Sequence, residues 1–461
     1  MKYKYLSRTI FLISLKCVII LSLGGCNKYL EKKQDSKIVV PRTLNDLQSL
    51  LDENDLMNSR TPSQSEASCD EYFLTTEEFG YLEEGSQKGY LWVPFMPSSN
   101  NDWSDSYIGV YNSNLVLELI QKIKRNKDNK DNWDNVKGSA LFYRSYNFLN
   151  LLWSFAPAYE NSTAGKDLGI VLRETSDFNI PSIRASNEVS YNKVIHDTKE
   201  AIPLLPDYPR VSTRPSKEAA YGLLARCYLS MRKYKDALLY ADSSLKLNHQ
   251  LIDYNGDSDI PEGIAASKPF NQLNKETIFY SLMNGNYYSY ITLEIGSIDT
   301  SIISLYDPND LRLTAFYIDN ALGFKSFKGC YGTNFMFSGI TTAEMLLIRA
   351  ECYIREGDIA KGGADLNTLR AKRFSSKDFV EIKMTTKKEA IDFVLNERRR
   401  ELVMRGLRWM DLKRLNKEGR NIELKRIIDG KAYKLLPNAN YYALPLPTDI
   451  IKLTGMPQNP S

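Results

Sequence analysis

The 461-residue sequence contains only two histidines, His196 and His249. Histidine is the side chain that most often works as a general base or a metal ligand near neutral pH. With only two histidines, the sequence offers few candidate residues for a catalytic triad or a histidine metal site. Glycine-rich phosphate loops, the GxSxG nucleophile turn and the CxxC spacing are absent as well. These absences argue against the common hydrolase, nucleotide-binding and zinc-binding classes.

A hydrophobic run long enough to span a membrane is also missing. The apolar stretch CVIILSL (17–23) follows Lys16 and three further basic residues, and this order predicts a leader peptide over residues 1–25. The leader ends in LGGC, which resembles the cleavage and acylation box of bacterial lipoproteins. Cys26 is therefore predicted to carry a lipid anchor, with an ordinary secretory leader as the alternative, and residues 26–41 are predicted to form a polar tether.

Basic residues are concentrated in one late segment, although the whole chain is balanced. Four of the 60 lysines and arginines lie in the predicted leader, which has no acidic residue, so 56 basic and 56 acidic residues remain. A net-neutral exported chain is a poor nucleic-acid binder. The segment 396–415, with six arginines and one lysine, must therefore be neutralised locally. Helical spacing over 391–412 places Arg398 and Arg405 on a mostly apolar face, where an unpaired charge is costly.

We therefore predict a buried ionic network in this segment rather than a nucleic-acid-binding helix. Arginine suits such a network because its planar guanidinium bonds a carboxylate through two parallel N–H groups. The predicted members are Glu397, Arg398, Glu401, Arg405, Arg408 and Asp411. The network would tie the last long helix to the rest of the scaffold.

Apolar residues recur at helical spacing over most of the chain after residue 42. The pattern predicts helices at 43–53, 103–124, 136–153 and 188–202. Two segments lose this period and are predicted as long irregular inserts, 60–102 and 250–340. Within the second insert, NGNYYSYITLEIGSID (284–299) alternates like a strand. The expected fold class is all-α, with residues 42–461 as one domain.

A repeated helix pair is the most informative feature of the pattern. Residues 217–247 have the spacing of two helices with a break near Arg232, and residues 346–373 show the same arrangement. Three identities lie 125 residues apart, namely Ala225/Ala350, Cys227/Cys352 and Tyr228/Tyr353. Each copy resembles a degenerate tetratricopeptide unit, a helix–turn–helix of about 34 residues. Two unrelated amphipathic helix pairs are the alternative.

Six pieces of the sequence, with the two tetratricopeptide-like units counted as one, resemble in their order the SusD/RagB family of outer-membrane nutrient-binding lipoproteins. They are WSDSYIGVYNSN (103–114), KGSALFYRSYNFLNLL (137–152), RASNEVSYNKVIHDTKEAIPLLP (184–206), the two tetratricopeptide-like units, ERRRELVMRGLRWMDLKRL (397–415) and YYALPLPTDIIKLTGMPQNP (441–460). The resemblance covers most of the chain after the predicted leader. It implies a SusD-like helical-repeat scaffold that carries the two inserts as loops.

The resemblance also implies a function. The protein would be a lipid-anchored outer-membrane protein, facing the cell surface, that captures an oligomeric nutrient and delivers it to a SusC-like TonB-dependent transporter. A glycan is the expected ligand and an oligopeptide the alternative; no enzymatic activity, metal site or cofactor is expected. Two other readings are a periplasmic tetratricopeptide scaffold for protein partners and an enzyme acting through paired carboxylates such as Asp70 and Glu71.

Aromatic and polar residues of the two inserts are the candidate ligand-binding groups. Sugar rings need an aromatic face for stacking and hydrogen-bond groups for their hydroxyls, and a few placed polar groups in an apolar setting are typical of small-molecule sites. The predicted ligand-binding residues are Tyr72, Tyr81, Trp92 and Asn101 in the first insert and Tyr287, Tyr288 and Tyr290 in the second. The alternative for each aromatic residue is that it fills a small core beneath the loops.

Overall fold

α-Helices form the frame of the protein, and the computed structural model describes residues 41–95 and 101–460 of the chain. In chain order the helices are α1 (Leu44–Leu51), α2 (Asn54–Met57), α3 (Gln64–Ala67), α4 (Thr76–Gly80), α5 (Glu84–Tyr90), α6 (Asp102–Leu119), α7 (Lys130–Phe155), α8 (Asn187–Ala201), α9 (Lys217–Ser230), α10 (Tyr234–Leu247), α11 (Tyr287–Tyr290), α12 (Thr300–Ile303), α13 (Arg312–Phe316), α14 (Thr342–Glu356), α15 (Ile359–Ala371), α16 (Lys387–Glu401), α17 (Arg408–Lys417) and α18 (Thr448–Thr454). The predicted all-α class is confirmed. The leader and Cys26 lie outside the described residues.

The strands are short and pair only two at a time. They are β1 (Tyr72–Phe73), β2 (Leu168–Val171), β3 (Arg184–Ser186), β4 (Thr277–Phe279), β5 (Ser297–Ile298), β6 (Tyr317–Asp319), β7 (Lys325–Phe327), β8 (Ile340–Thr341), β9 (Leu424–Ile428) and β10 (Lys431–Leu435). The antiparallel pairs are β1–β5, β2–β3, β4–β8, β6–β7 and β9–β10. The β9–β10 hairpin turns at Asp429 and Gly430, both with positive φ, which is the Asp-Gly signal of a two-residue hairpin turn.

Helix α7 is the centre of the main hydrophobic core. From Gly138 to Phe155 every residue of this helix is buried, and neighbouring helices α6 and α8 pack along it. Phe142, Tyr146 and Phe279 pack ring against ring, with centroids 4.8 to 5.9 Å apart. A helix that is covered on all sides carries apolar residues around its whole circumference, so its sequence shows less amphipathic contrast than a surface helix.

The two tetratricopeptide-like units form two helix hairpins that pack against each other. The first, α9–α10, turns at Arg232, which has a φ of 60°, and the second, α14–α15, turns at Gly357 with a φ of 100°. Helix α10 of the first hairpin contacts α14 of the second, although the second insert separates the two in sequence. A Cβ at Gly362 would lie 2.4 Å from Ile354 Cγ1, so α14 and α15 approach closely.

The inserts build a second, smaller core beside the helical one. This core contains Tyr72, Leu74 and Tyr90 from the first insert and many aromatic residues from the second, including Tyr254, Phe270, Tyr280, Phe316, Tyr331 and Phe337. Within the described residues no helix is both long enough and apolar enough to cross a membrane.

The strand predicted within 284–299 is wrong over most of its length. Residues Tyr287–Tyr290 form α11 and Ile291–Ile295 continue as one π-helical turn, so that only Ser297–Ile298 are extended. The Thr292 hydroxyl donates to the carbonyl oxygen of Tyr288 at 3.0 Å, and the Ser289 hydroxyl donates to that of Asn284 at 2.6 Å. These local bonds from side chain to backbone stabilise the coiled conformation and override the alternating pattern.

The continuous helix expected over 391–412 is also wrong, because it breaks between α16 and α17. Met404 and Gly406 have φ values of 57° and 73°. The N–H of Met404 donates to Glu71 Oε2 at 2.6 Å and the N–H of Gly406 donates to Glu66 Oε2 at 2.9 Å. Two buried carboxylates of the first insert thus satisfy the backbone donors that the helix break releases.

Glu218 in the first turn of α9 makes the stability of the fold dependent on pH. It is 2% exposed and its Oε1 has no hydrogen-bond partner among the described residues. Burial raises the pKa of this carboxyl from 4.5 to about 7, more than the hydrogen bond with Asn248 lowers it. The folded state therefore holds a proton that the unfolded state loses as the pH rises from 4.5 to 7, so the free energy of unfolding falls over this window.

We expect Glu218→Gln to remove this loss. At pH 8 the variant should be more stable than the natural protein by about 3 kcal/mol, and the difference should vanish below pH 4.5, where the carboxyl is protonated in both states. Urea unfolding at a series of pH values measures this. Glu188→Gln is the matched control, because Glu188 holds the same position in the first turn of α8 but is exposed. Equal pH profiles for the two variants would contradict the assignment.

Candidate functional site

Asp102, the first residue of α6, joins the two inserts through a buried cluster of hydrogen bonds. Its Oδ2 accepts the N–H groups of Ser63 and Gln64 at 2.8 and 2.6 Å, and its Oδ1 accepts the side-chain amides of Asn284 and Asn286 at 2.6 and 2.7 Å. Burial raises the pKa of this carboxyl, although the backbone N–H of Gln64 and the Asn284 amide act in the opposite direction. One carboxylate therefore holds the start of the first insert and the turn before α11.

Backbone pairing joins the two inserts at further points. The carbonyl oxygen of Thr61 accepts the N–H of Asn284 at 2.9 Å, and the Thr61 hydroxyl donates to Ser338 Oγ at 2.7 Å. Strand β1 pairs with β5, which places Tyr72 opposite Ile298. The meeting line of the inserts is therefore a rigid part of the fold, despite its irregular backbone.

Four aromatic side chains and one asparagine lie near this meeting line. They are Phe95, Asn286, Tyr288, Tyr290 and Phe335, and we call this set the junction surface. Phe95 and Tyr288 both approach Gly89, where a Cβ would lie 3.1 Å from the first ring and 3.8 Å from the second. Phe335 covers Gly285 in the same way, at 2.6 Å. The absence of a side chain at these two glycines lets the rings lie directly on the backbone.

The junction surface combines partly exposed rings with an asparagine side chain. Tyr290 is 52% exposed and Phe335 is 46% exposed, so parts of both rings face solvent. Asn286 is half-buried, and its Oδ1 accepts both the Ser63 hydroxyl at 2.6 Å and the Tyr288 N–H at 2.9 Å. The amide is thus held in one orientation beside the tyrosines. Phe95, Asn286 and Phe335 were missed from the sequence, because nothing in their local pattern distinguishes them from other loop residues.

Two of the predicted ligand-binding aromatics, Tyr72 and Trp92, lie around an arginine of the protein itself. The guanidinium of Arg426 on β9 lies 3.7 Å from the ring centre of Tyr90, 4.6 Å from that of Trp92 and 5.3 Å from that of Tyr72. It also donates to the carbonyl oxygens of Ala67 and Cys69 at 2.9 Å. Tyr72 and Trp92 are 3% and 6% exposed, so both rings pack inside the fold. Their ligand-binding role stays a prediction, and their burial does not support it.

The other predicted residues are separated from one another. Asn101 caps α6, where its Oδ1 accepts the N–H of Ser104 at 2.9 Å, and it is 5% exposed. Tyr81 is 77% exposed and its hydroxyl donates to Glu77 Oε1 at 3.1 Å, on the turn after α4. The side chain of Tyr287 lies outside the described residues. Of the predicted set, Tyr288 and Tyr290 are the two that lie in α11, beside the meeting line of the inserts; Tyr290 is 52% exposed and Tyr288 is half-buried.

The arginines of α16 and α17 pair with carboxylates from several parts of the chain. Arg398 Nε lies 2.7 Å from Asp411 Oδ2, and Arg408 Nε lies 2.7 Å from Asp70 Oδ1. Glu401 lies 2.8 Å from both Arg312 and Arg373, two fully buried arginines that the sequence pattern did not reveal. The network therefore extends well beyond the segment itself.

Charge pairing is strong enough to reverse the effect of burial at Glu397. Burial alone would raise the pKa of this carboxyl, but Arg312 and Arg400 hold it down at about 2.

Arg405 differs from the other predicted members of the ionic network. Its guanidinium lies 3.9 Å from the ring centre of Tyr331 and 4.9 Å from that of Phe337, and it forms no ion pair within the described residues.

Two groups of side chains combine metal-ligand types within 4.8 Å, namely Glu66/Cys69/Glu71 and His196/Asp197/Glu200. In the first group both carboxylates accept backbone N–H groups at the break between α16 and α17. In the second, Asp197 is paired with Arg144 at 2.8 Å. In both groups some of the oxygen donors are therefore already used within the protein. The four cysteines of the described residues are buried free thiols.

A separate groove of about 430 Å³ runs between α6, the loop 173–182 and α18. Tyr111, Phe178 and Leu453 form its exposed rim. Its polar groups are bonded to the loop itself; for example, Asn114 Nδ2 donates to the carbonyl oxygens of Arg173 and Thr175 at 2.9 and 3.2 Å. The groove therefore offers mainly apolar contact, and the junction surface, which stands where the two inserts are fastened to α6, is the better candidate site.

Asp102 is expected to control the order of the junction surface. Asp102→Ala leaves four donors without their acceptor, each a cost of roughly 1 kcal/mol or more. We expect a loss of about 3 kcal/mol in stability and faster amide hydrogen exchange at residues 284–290. Asp105→Ala, one turn further along α6, removes a partly exposed pair with Arg60 at 3.1 Å and a longer bond from Asn284 Nδ2 at 3.4 Å, and it should cost about 1 kcal/mol or less. Similar exchange rates in both variants would rule out the proposed role.

Comparison with known proteins places this architecture in a family. A family model described as "Starch-binding associating with outer membrane" matches residues 28–229, and one described as "SusD family" matches residues 325–460. No curated protein matches the chain.

Solved structures show the same fold over nearly the whole chain. A SusD superfamily protein from Bacteroides thetaiotaomicron has 20% identity and a TM-score of 0.74, covering 91% of this chain and 100% of that one. A SusD superfamily protein from Bacteroides vulgatus has 20% identity and a TM-score of 0.72, covering 91% and 99%. A SusD-like carbohydrate binding protein from Bacteroides vulgatus has 18% identity and a TM-score of 0.67, covering 89% and 96%. With two family models matching successive parts of this fold, the chain belongs to the SusD/RagB family.

Proposed function

We propose that the protein is a non-enzymatic nutrient-binding lipoprotein that captures an oligosaccharide on the junction surface. The proposal is carried by Tyr290 and Phe335, each about half exposed. Tyr290 bonds through its N–H to the carbonyl oxygen of Asn286, Phe335 covers the neighbouring Gly285, and the Asn286 side chain is oriented by three hydrogen bonds. Flat apolar faces next to oriented amide groups suit a ligand made of rings and hydroxyls. The site stands on the line where the two inserts are fastened to α6, so its geometry is set before the ligand arrives.

The carboxylates that could have supported an enzyme are engaged elsewhere. Asp70 pairs with Arg408 at 2.7 Å and with Arg399 at 3.1 Å, and Glu71 accepts the N–H of Met404. Burial would raise the pKa of Asp70, but Arg408 and Arg399 together lower it below its usual range. Glycoside hydrolysis needs two carboxylates placed across a sugar, and this pair faces the interior of the fold instead. The arrangement supports binding without turnover.

Delivery to a SusC-like TonB-dependent transporter, and anchoring to the outer membrane through acylated Cys26 with the protein facing the cell surface, complete the proposal. They rest on family membership and on the LGGC sequence at the end of the predicted leader. An oligopeptide is the second ligand class, since aromatic faces and amides also bind peptides.

Titration calorimetry tests the proposal directly. The chain from residue 26 onward, with Cys26 replaced by serine, is titrated with a panel of oligosaccharides and of mixed oligopeptides, and each sample is analysed for cleavage. We expect one oligosaccharide class to bind uncleaved. Tyr290→Ala should weaken that binding at least about tenfold, which corresponds to ~1.4 kcal/mol. Tyr208→Ala is the matched control, because Tyr208 is 59% exposed and lies beside α7 and Pro206 rather than on the junction surface.

The other outcomes separate the alternatives. Peptide binding that is lost in Tyr290→Ala would keep the site and change the ligand class. Oligosaccharide binding that survives Tyr290→Ala would place the site elsewhere. Cleavage products would overturn the non-enzymatic assignment, and binding of neither class would favour a protein-binding scaffold.

A further inference from the structure

The side chain of Asn286 on the junction surface has one hydrogen-bonding position left for a ligand. Its Oδ1 accepts the Ser63 hydroxyl at 2.6 Å and the Tyr288 N–H at 2.9 Å, so both lone pairs of this oxygen are used. Its Nδ2 donates one N–H to Asp102 Oδ1 at 2.7 Å, and an amide nitrogen carries two such donors. The amide cannot be turned over, because an N–H group must meet its oxygen and a carboxylate must meet its nitrogen. Asn286 can therefore donate one hydrogen bond to a ligand but accept none.

Asp102, which holds this amide, carries a negative charge. One of its oxygens accepts the N–H groups of Ser63 and Gln64, and the other accepts the amides of Asn284 and Asn286. A protonated carboxyl would have to donate a hydrogen bond of its own, and these four donors leave no acceptor for it. Burial raises the pKa of this carboxyl, but the hydrogen bonds from Gln64, Asn284 and Ser63 oppose the rise. The charge is thus stabilised by N–H groups, and no lysine or arginine of the described residues pairs with it.

The cations closest to the junction surface in the sequence are already matched by acids. Arg60 pairs with Asp105, one turn after Asp102 on α6, at 3.1 Å. Lys88 pairs with Glu84 at 2.5 Å on α5, the helix on which the ring of Phe95 lies. Neither cation therefore offsets the charge of Asp102.

The tyrosine of the junction surface reports the same negative field. Burial raises the pKa of Tyr288, and the negative charges of Asp102 and Glu83 raise it further. Glu83 is exposed at the start of α5. A ligand at Tyr288 therefore meets the field of two acids, one buried beneath the surface and one beside it.

We propose that the junction surface selects uncharged oligosaccharides, with an oxygen of the sugar accepting the second N–H of Asn286. This inference rests on the proposed function, because it names the ligand class of the same site. An acceptor on that N–H would lie roughly 5 Å from Asp102 Oδ1, since both oxygens bond to one trigonal nitrogen. A carboxylate or sulfate group at this distance is repelled by Asp102, and the repulsion is strong where water is partly excluded. A protonated amino group is attracted by Asp102 but finds no acceptor on Asn286.

Titration calorimetry with matched pairs of sugars tests this inference. Each pair is a neutral hexasaccharide of an α-glucan, a β-glucan or a β-mannan, and the same hexasaccharide with its exocyclic hydroxymethyl groups oxidised to carboxylates. At neutral pH and low ionic strength, the neutral member should bind at least about tenfold more tightly than the acidic member. An acidic member that binds as tightly as its neutral partner, and loses that binding in Tyr290→Ala, would overturn the inference and keep the proposed site. Binding of no oligosaccharide would overturn the proposed function and the inference with it.

Replacement of a neighbouring acid by its amide isolates the electrostatic effect. Asp105→Asn keeps the shape of the side chain, removes a negative charge beside the Asn284 amide and leaves Arg60 without its partner. The acidic sugar should then bind several-fold more tightly than it binds to the natural protein. Asp392→Asn is the matched control, because Asp392 on α16 also pairs with a partly exposed arginine, Arg420, and it should leave the preference for the neutral sugar unchanged. The same preference in Asp105→Asn as in Asp392→Asn would overturn the inference.

Discussion

Neutralisation of buried arginines is the constraint on which the rest of the structure depends. Arg312 and Arg373 have no exposed surface, and each meets Glu401 at the end of α16. Removing one partner of such a buried pair leaves an uncompensated charge, at a cost of about 3–5 kcal/mol. Arg312 belongs to the second insert and Arg373 follows the second helix hairpin, so Glu401 fixes the position of both relative to α16.

The first insert is fixed by the same requirement. Asp70 neutralises Arg408 and Arg399, while Glu66 and Glu71 take up the backbone donors at the helix break. Arg426 completes the arrangement from the other side, with its guanidinium among the rings of Tyr90 and Trp92. Most acidic and aromatic side chains named here from the first insert thus make contacts inside the fold. Only side chains that are not buried in this way can contact a ligand.

The proposed function depends on which side chains of the inserts are buried inside the fold and which are partly exposed to solvent. Segments with irregular backbone usually move more than the elements they connect, but here hydrogen bonds to Asp102 and pairing between β1 and β5 hold both inserts on the helical scaffold. The partly exposed rings therefore stand on a fixed base, which is what selective capture of a ligand requires.

Local patterns in the sequence predicted most of the long helices, the repeated hairpins and the need for a charge network, because each depends on residues within a few turns of one another. The tertiary structure alone decided where α16 ends. The N–H of Met404, which the helix break leaves free, donates to the carboxylate of Glu71, 333 residues away in sequence. It also decided which aromatic side chains face solvent. Trp92 and Tyr290 both lie in irregular, aromatic-rich segments of the sequence, but Trp92 packs against Arg426 whereas Tyr290 is exposed. Helical periodicity is a short-range property, whereas the partner of a charge or of a ring face is chosen by contacts between distant parts of the chain.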